Sequence, residues 1–151
     1  MKELRELLKT KENLPLSRAT VISIMHSNSW IKDGLLSCLK PFDLSIEQFN
    51  VLRILRGQDG STINLQDIQE RMVNKMSNTT RLVDKLISKE LVERSICENN
   101  RRKVDIGITS KGLQLLKEID PLIDAKESEL TSQLNNKELE ILNTLLLKLK
   151  N

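Results

Sequence analysis

A mainly α-helical chain with one small β-hairpin is the fold class that three observations predict. Apolar residues recur at three- and four-residue spacing through most of the chain, as amphipathic helices require. Only Val92–Ile96 and Val104–Ile108 alternate apolar and polar residues like strands, and the seven residues Cys97 to Lys103 separate them. The composition agrees. Hydrophobic residues make up 38% of 151, enough for one core, aromatics at 2% make that core aliphatic, and mixed charge at 30% suits exposed helix faces.

The elements follow in order. A short amphipathic piece around Leu4, Leu7 and Leu8 is broken at Pro15. Val21, Ile24, Asn28, Ile31, Leu35 and Cys38 then form one stripe of a long helix that Pro41 ends. Ser45–Gln48 reads "SIEQ", a capping box in which hydroxyl and amide each satisfy a free N–H. It opens a helix with Phe49, Leu52 and Leu55 inward, stopping near Gly57–Gly60. "STINLQDIQERM" predicts a short β segment and a helix capped by Asn64, with Ile68 and Met72 buried. "NKMSNTTRLVDKLISKELVERS" predicts a further short helix, with Leu82, Leu86 and Val83 towards a core and Ser77, Asn78, Arg81 and Lys85 away from it. Asn74 or Ser77 is the expected cap, and Thr79 is expected to pack inward. "TSKG" at Thr109–Gly112 starts a helix that points Leu113, Leu116, Ile119, Ile123 and Leu130 inward and should kink at Pro121. A last helix carries Leu139, Leu142, Leu146 and Leu149.

Two short helices followed by a hairpin make a winged helix-turn-helix. In such an arrangement the second helix fits the major groove of B-DNA and the wing reaches the adjacent minor groove. The charge distribution supports this use. The whole chain is only +3, but Arg71 to Lys103 holds nine cations and four anions, a net +5, leaving −2 elsewhere. A localised basic stretch on a slightly acidic body suits a polyanion. The DNA-contact candidates are Lys75, Ser77, Asn78, Thr80, Arg81 and Lys85 in and before the second helix, and Asn100, Arg101, Arg102 and Lys103 in the hairpin loop. Asparagine matches the adenine edge and arginine the guanine edge, whereas Lys75 and Lys85 suit phosphate. A guanidinium is always charged and weakly hydrated, which suits Arg101 and Arg102 to a narrow groove.

At "TTRLVDKLISKELVERS" and "NNRRKVDIGITSKG" the chain resembles the MarR family, the multiple-antibiotic-resistance type of bacterial transcription regulators. The resemblance implies a homodimer, with helices of 1–40 and 110–151 forming the dimerisation region around a winged helix at 41–109, one compact domain overall. It also implies a repressor released by a small molecule or by oxidation. Two-fold helix-turn-helix geometry puts the half-sites of its expected pseudo-palindromic operator about 34 Å apart. In this family the long first helix borders an effector pocket, which makes His26 and Trp30 candidate effector contacts. The chain departs from the family pattern in two places. Asn100 and Cys97 stand where the wing usually carries aspartates. Glu90 stands where the turn after the recognition helix usually carries glycine, and would be strained at positive φ.

Other classes are less well supported. No activated nucleophile, Gly-rich phosphate loop or acid/base pair points to an enzyme, and no cofactor or metal site is expected, since His26 is the one histidine. The charged N-terminus "MKELRELLKTKENLP" lacks an apolar signal region, and no apolar run approaches the roughly 18 residues of a membrane span. Two cysteines make no disulfide framework, so a reducing, cytoplasmic location is expected. Cys38 is expected to be a buried structural thiol. Cys97, beside the wing cations, keeps open a thiol-based redox-responsive regulator. A winged-helix protein–protein interaction module is the remaining alternative.

Overall fold

A computed structural model describes residues 2–9, 13–96 and 104–149. The chain divides into two compact units, Met1–Gly34 and Leu35–Asn151. The first holds α1 (Lys2–Leu7) and most of the long α2 (Leu16–Leu39). Within it, the Arg5 guanidinium donates to Asn13 Oδ1 at 2.8 Å. The α2 side chains Val21, Ile24, Met25, Trp30 and Ile31 are exposed.

In the second unit, Pro41 sits in a 3-10 turn, Lys40–Phe42, that follows α2. Then come α3 (Ile46–Arg56), β1 (Ile63–Asn64), α4 (Leu65–Arg71), α5 (Thr79–Ser88), β2 (Val92–Ile96), β3 (Val104–Ile108), α6 (Ser110–Thr131) and α7 (Asn136–Lys148). The capping box at α3 is formed: Gln48 N–H donates to Ser45 Oγ at 3.1 Å, and Ser45 N–H to Gln48 Oε1 at 2.9 Å. Asn64 caps α4 and Thr109 caps α6, as the sequence predicts. The strands make an antiparallel sheet in the order β1-β3-β2, with Val92 opposite Ile108, Ile96 opposite Val104, and Ile63 opposite Ile106.

The core is aliphatic with one aromatic. It joins Phe49, Val51, Leu52 and Leu55 of α3, Ile68 of α4 and its C-cap Met72, Val83 and Leu86 of α5, Val92 and Ile106 of the sheet, and Leu116, Ile119 and Ile123 of α6. Each fully buried side chain of this size contributes about 1.5–3 kcal/mol. Arg56 of α3 pairs with Asp120 of α6 at the edge of this core.

Val83 and Leu86 are fully buried and Leu82 is half-buried against the same core, so all three face it as expected. Other expectations are corrected. Leu113 is 37% exposed instead of inward. It lies three residues before the buried Leu116, one turn from the N-terminus of α6, where the core no longer covers it. Cys38 is half-buried, not enclosed, with its Sγ 3.8 Å from the Leu122 carbonyl oxygen. α6 runs from Ser110 to Thr131 with Pro121 inside it, an arrangement that leaves the expected kink untested. No residue of α7 is buried, and Ile141, Leu142, Leu145, Leu146, Leu147 and Leu149 are all exposed.

The base of the hairpin is a close junction. Thr109 N–H donates to the Leu91 carbonyl at 3.1 Å, and Thr109 Oγ1 to the Glu90 carbonyl at 2.8 Å. A Cβ on Gly112 would lie 2.3 Å from that Leu91 oxygen and 2.8 Å from the Ile108 side chain. Backbone is in the way, so Gly112→Ala must push α6 off the hairpin. We expect it to cost about 1–3 kcal/mol, the usual range for overpacking, read as a lower urea midpoint. An unchanged midpoint would show that the junction yields freely.

Candidate nucleic-acid interface

α5 is amphipathic over its whole length. Thr79, Val83 and Leu86 are buried, whereas Thr80, Arg81, Asp84, Lys85 and Ser88 are exposed. Positions 81, 85 and 88 follow four- and three-residue spacing, so they share the outer face.

The helix begins later than "NKMSNTT" suggests. Neither Asn74 nor Ser77 caps it: Asn78 does, accepting the Arg81 N–H at 3.1 Å. Asn74 instead closes the preceding turn, its Oδ1 accepting the Met76 N–H at 3.1 Å and its carbonyl the Ser77 N–H at 3.1 Å. Ser77 does not face away from the protein as expected. Its Oγ is buried and has no hydrogen-bond partner among the described residues. Thr79 packs inward as expected, and its hydroxyl donates to Gln69 Oε1 of α4. Lys75 Nζ reaches back to the Glu70 carbonyl, and the Gln69 amide donates to the Lys75 carbonyl at 2.6 Å.

Asn74, Ser77, Asn78, Arg81, Leu82 and Lys85 line one shallow depression together with Glu47 of α3. The structure thus brings together Ser77, Asn78, Arg81 and Lys85, and adds Asn74 and Glu47. Thr80 is exposed beside them on α5. The sequence marked Asn74 only as a cap candidate, and nothing local indicates Glu47, which lies on another helix. Asn50 of α3 is a further residue the sequence conceals: its Oδ1 accepts the Val73 N–H at 3.0 Å, across 23 positions, and pins the turn before α5.

β2 is tied to α5 by an ion pair between Arg94 and Asp84 at 2.6 Å, which also neutralises the one acidic residue of the α5 outer face. Cys97, Asn100, Arg101, Arg102 and Lys103 lie outside the described residues. His26 and Trp30 are four residues apart on α2 and both exposed.

α5 ends in a Schellman arrangement. The Leu91 N–H donates to the Leu86 carbonyl at 3.0 Å and the Glu90 N–H to the Ile87 carbonyl at 2.8 Å, with Glu90 at φ +62°. Glu90 thus takes the left-handed conformation that its place in the family pattern anticipates. Its carboxylate meets Lys111 Nζ at 2.6 Å. The hydrogen bond and charge of Lys111 hold the Glu90 carboxyl below its ordinary 4.5. Lys89 does the same to Asp43, from an ordinary 3.8, first by its hydrogen bond and then by charge, at 2.7 Å.

Two helices joined by a pinned turn, with a basic outer face on the second and a hairpin tied to it, define a winged helix-turn-helix protein. Comparison with known proteins agrees. A sequence profile of the MarR family matches residues 44–104. The chain is 30% identical over 139 residues to the multiple antibiotic resistance protein MarR of Escherichia coli strain K12, covering 91% of this chain and 92% of that one. It is 31% identical over 108 residues, 70% of its length, to the uncharacterized HTH-type transcriptional regulator YfiV of Bacillus subtilis strain 168. That match spans 66% of YfiV, and a match to the Escherichia coli repressor MprA spans 55% of that protein, in each case less than two thirds. A crystal structure of a mutant Escherichia coli MarR complexed with operator DNA superposes with a TM-score of 0.79 at 26% identity, covering 91% of this chain and 99% of that one. The chain belongs to the MarR family, and the named relatives are regulators, not enzymes.

The pinned hairpin base predicts a pH response. A carboxyl whose folded value is depressed adds stability above its unfolded value and loses it as pH falls through the folded one. In a carboxyl-carbon NMR titration, Glu90 should titrate below 4.5, and Lys111→Met should return it towards that value. A midpoint indifferent to Lys111→Met would dissolve the assigned pair.

Proposed function

We propose that this chain is a homodimeric, sequence-specific DNA-binding transcription regulator, a repressor of a pseudo-palindromic operator. The observation that carries the reading is the outer face of α5, where Asn78, Arg81 and Lys85 share one depression on a rigidly held helix. Arg81 and Asn78, with Thr80, are assigned to base edges or phosphates at the N-terminal end of the helix in the major groove, whereas Ser77, with its Oγ buried, is left to shape the turn. Lys75 and Lys85 are assigned to the phosphate backbone. Asn100, Arg101, Arg102 and Lys103 are assigned to the wing, one arginine entering the minor groove. The MarR structure complexed with operator DNA supports this by likeness of fold.

The second copy is argued from exposed apolar surface. α7 is a 13-residue helix with a formed capping box and no buried residue. A helix that short is marginal in water without packing. Its leucines, with Leu122 of α6 and the exposed apolar residues of α2, need a cover that the described residues do not supply. We assign 1–40 and 110–151 to that two-fold interface and 41–109 to DNA. An effector that favours one arrangement of the dimer would change the spacing of two recognition helices held about 34 Å apart, and so release the operator. His26 and Trp30 are the proposed effector contacts. A cytoplasmic site of action follows from this reading, and among the described residues no helix is long and apolar enough to cross a membrane.

Arg81→Ala should cost about 1–3 kcal/mol of operator affinity and relax specificity at one position per half-site, and Lys85→Ala should weaken all duplexes alike and lower the salt slope by about 1. The double change Arg101→Ala, Arg102→Ala should also flatten that slope, measured by fluorescence anisotropy across a salt series. An unaltered slope removes the wing from the reading.

The dimer is tested by sedimentation. The wild-type chain should run as a dimer, and Leu142→Lys with Leu146→Lys should give monomers that bind operator far more weakly. A wild-type monomer would end the two-fold reading.

A further inference from the structure

Among the large hydrophobic residues that the structure leaves exposed, two stand apart. Met76 is 92% exposed and Val73 87%, well above Leu16 at 74%. Both lie in the turn between α4 and α5. They are not part of a helical row awaiting a partner, unlike the leucines of α7. The turn that carries them is also held firmly. Asn50 accepts the Val73 N–H, Asn74 accepts the Met76 N–H, and Gln69 donates to the Lys75 carbonyl. The backbone is therefore fixed while the Met76 side chain meets solvent.

The surroundings select the occupant. Met76 follows Lys75, lies between Asn74 and Ser77 of the depression, and precedes the cap Asn78 by two residues. Lys75, Arg81 and Lys85 give this neighbourhood the charge of a polyanion site, a poor match to an apolar protein partner. A duplex offers one apolar group in its major groove, the C5 methyl of thymine. Residues at the N-terminal end of a recognition helix are those that meet base edges. An unbranched thioether adapts its shape to a single methyl better than a branched side chain does.

We infer that Met76 is a specificity-determining residue that reads the C5 methyl of one thymine in each half-site. This rests on the reading that α5 enters the major groove. Its contribution is a difference between thymine and the other bases and adds no charge neutralisation, so it leaves the salt slope unchanged.

The test uses the full-length protein and a duplex it selects from a random pool. Each thymine is replaced in turn by deoxyuridine, which deletes only the methyl. For the wild type, one position per half-site should lose roughly three- to five-fold in affinity, the size expected for one buried methyl group. Met76→Ala should lose a similar factor on unmodified DNA and become indifferent to deoxyuridine at that position, and Met76→Leu should retain most of the discrimination. Met76→Ala should keep the wild-type urea midpoint, because the residue is 92% exposed. If wild type and Met76→Ala respond alike to every replacement, or the variant binds unmodified DNA as tightly as wild type, Met76 does not read a methyl and the inference is overturned. If no duplex is enriched at all, the DNA-binding reading itself fails and takes this inference with it.

Discussion

The seating of α5 on α3, through Val83 and Leu86 on the inner side, is the constraint on which the candidate interface depends. Two fully buried side chains three residues apart fix the rotation of a ten-residue helix about its axis. Once that rotation is set, Arg81 and Lys85 have no choice but to face solvent. The polar face is thus a consequence of packing, and it is held with the stiffness of a close-packed core.

A second set of contacts fixes the hairpin. The Schellman turn at Glu90 leads α5 directly into β2, the Arg94–Asp84 pair ties the strand back to the helix, and Thr109 anchors the far strand to the same turn. Gly112 permits this closeness, since any side chain there would collide with the Leu91 carbonyl. The exposed ion pairs of this region add little stability individually. Their role is positional: they set the strand base against the helix.

The terminal helices obey a different logic. The core of 35–151 is complete without α7, which nonetheless has both capping-box bonds and a continuous apolar row. Local sequence specifies this helix, but nothing within the described residues buries it. Surface of that kind acquires its energetic meaning from association, which is why the oligomeric state and the regulatory geometry belong to one question.

The sequence by itself determined the order and kind of the elements. Apolar periodicity located the helices, alternation located β2 and β3 with the observed ends, and Ser45, Asn64 and Thr109 marked three helix starts, because these signals are local and act within four residues. It also determined that Arg81 and Lys85 lie on one face. Only tertiary structure decided that Asn78, and not Asn74 or Ser77, caps α5, since Asn50 and Gln69 on other helices hold the turn that leaves Asn78 in place. Only tertiary structure decided that Ser77 turns inward, that Val83 outranks Leu82 in the core, and that Leu113 stays exposed. In each case the outcome depends on which neighbour from elsewhere in the chain occupies the adjacent space. That information resides in the packing of distant segments, and no window of a few residues contains it.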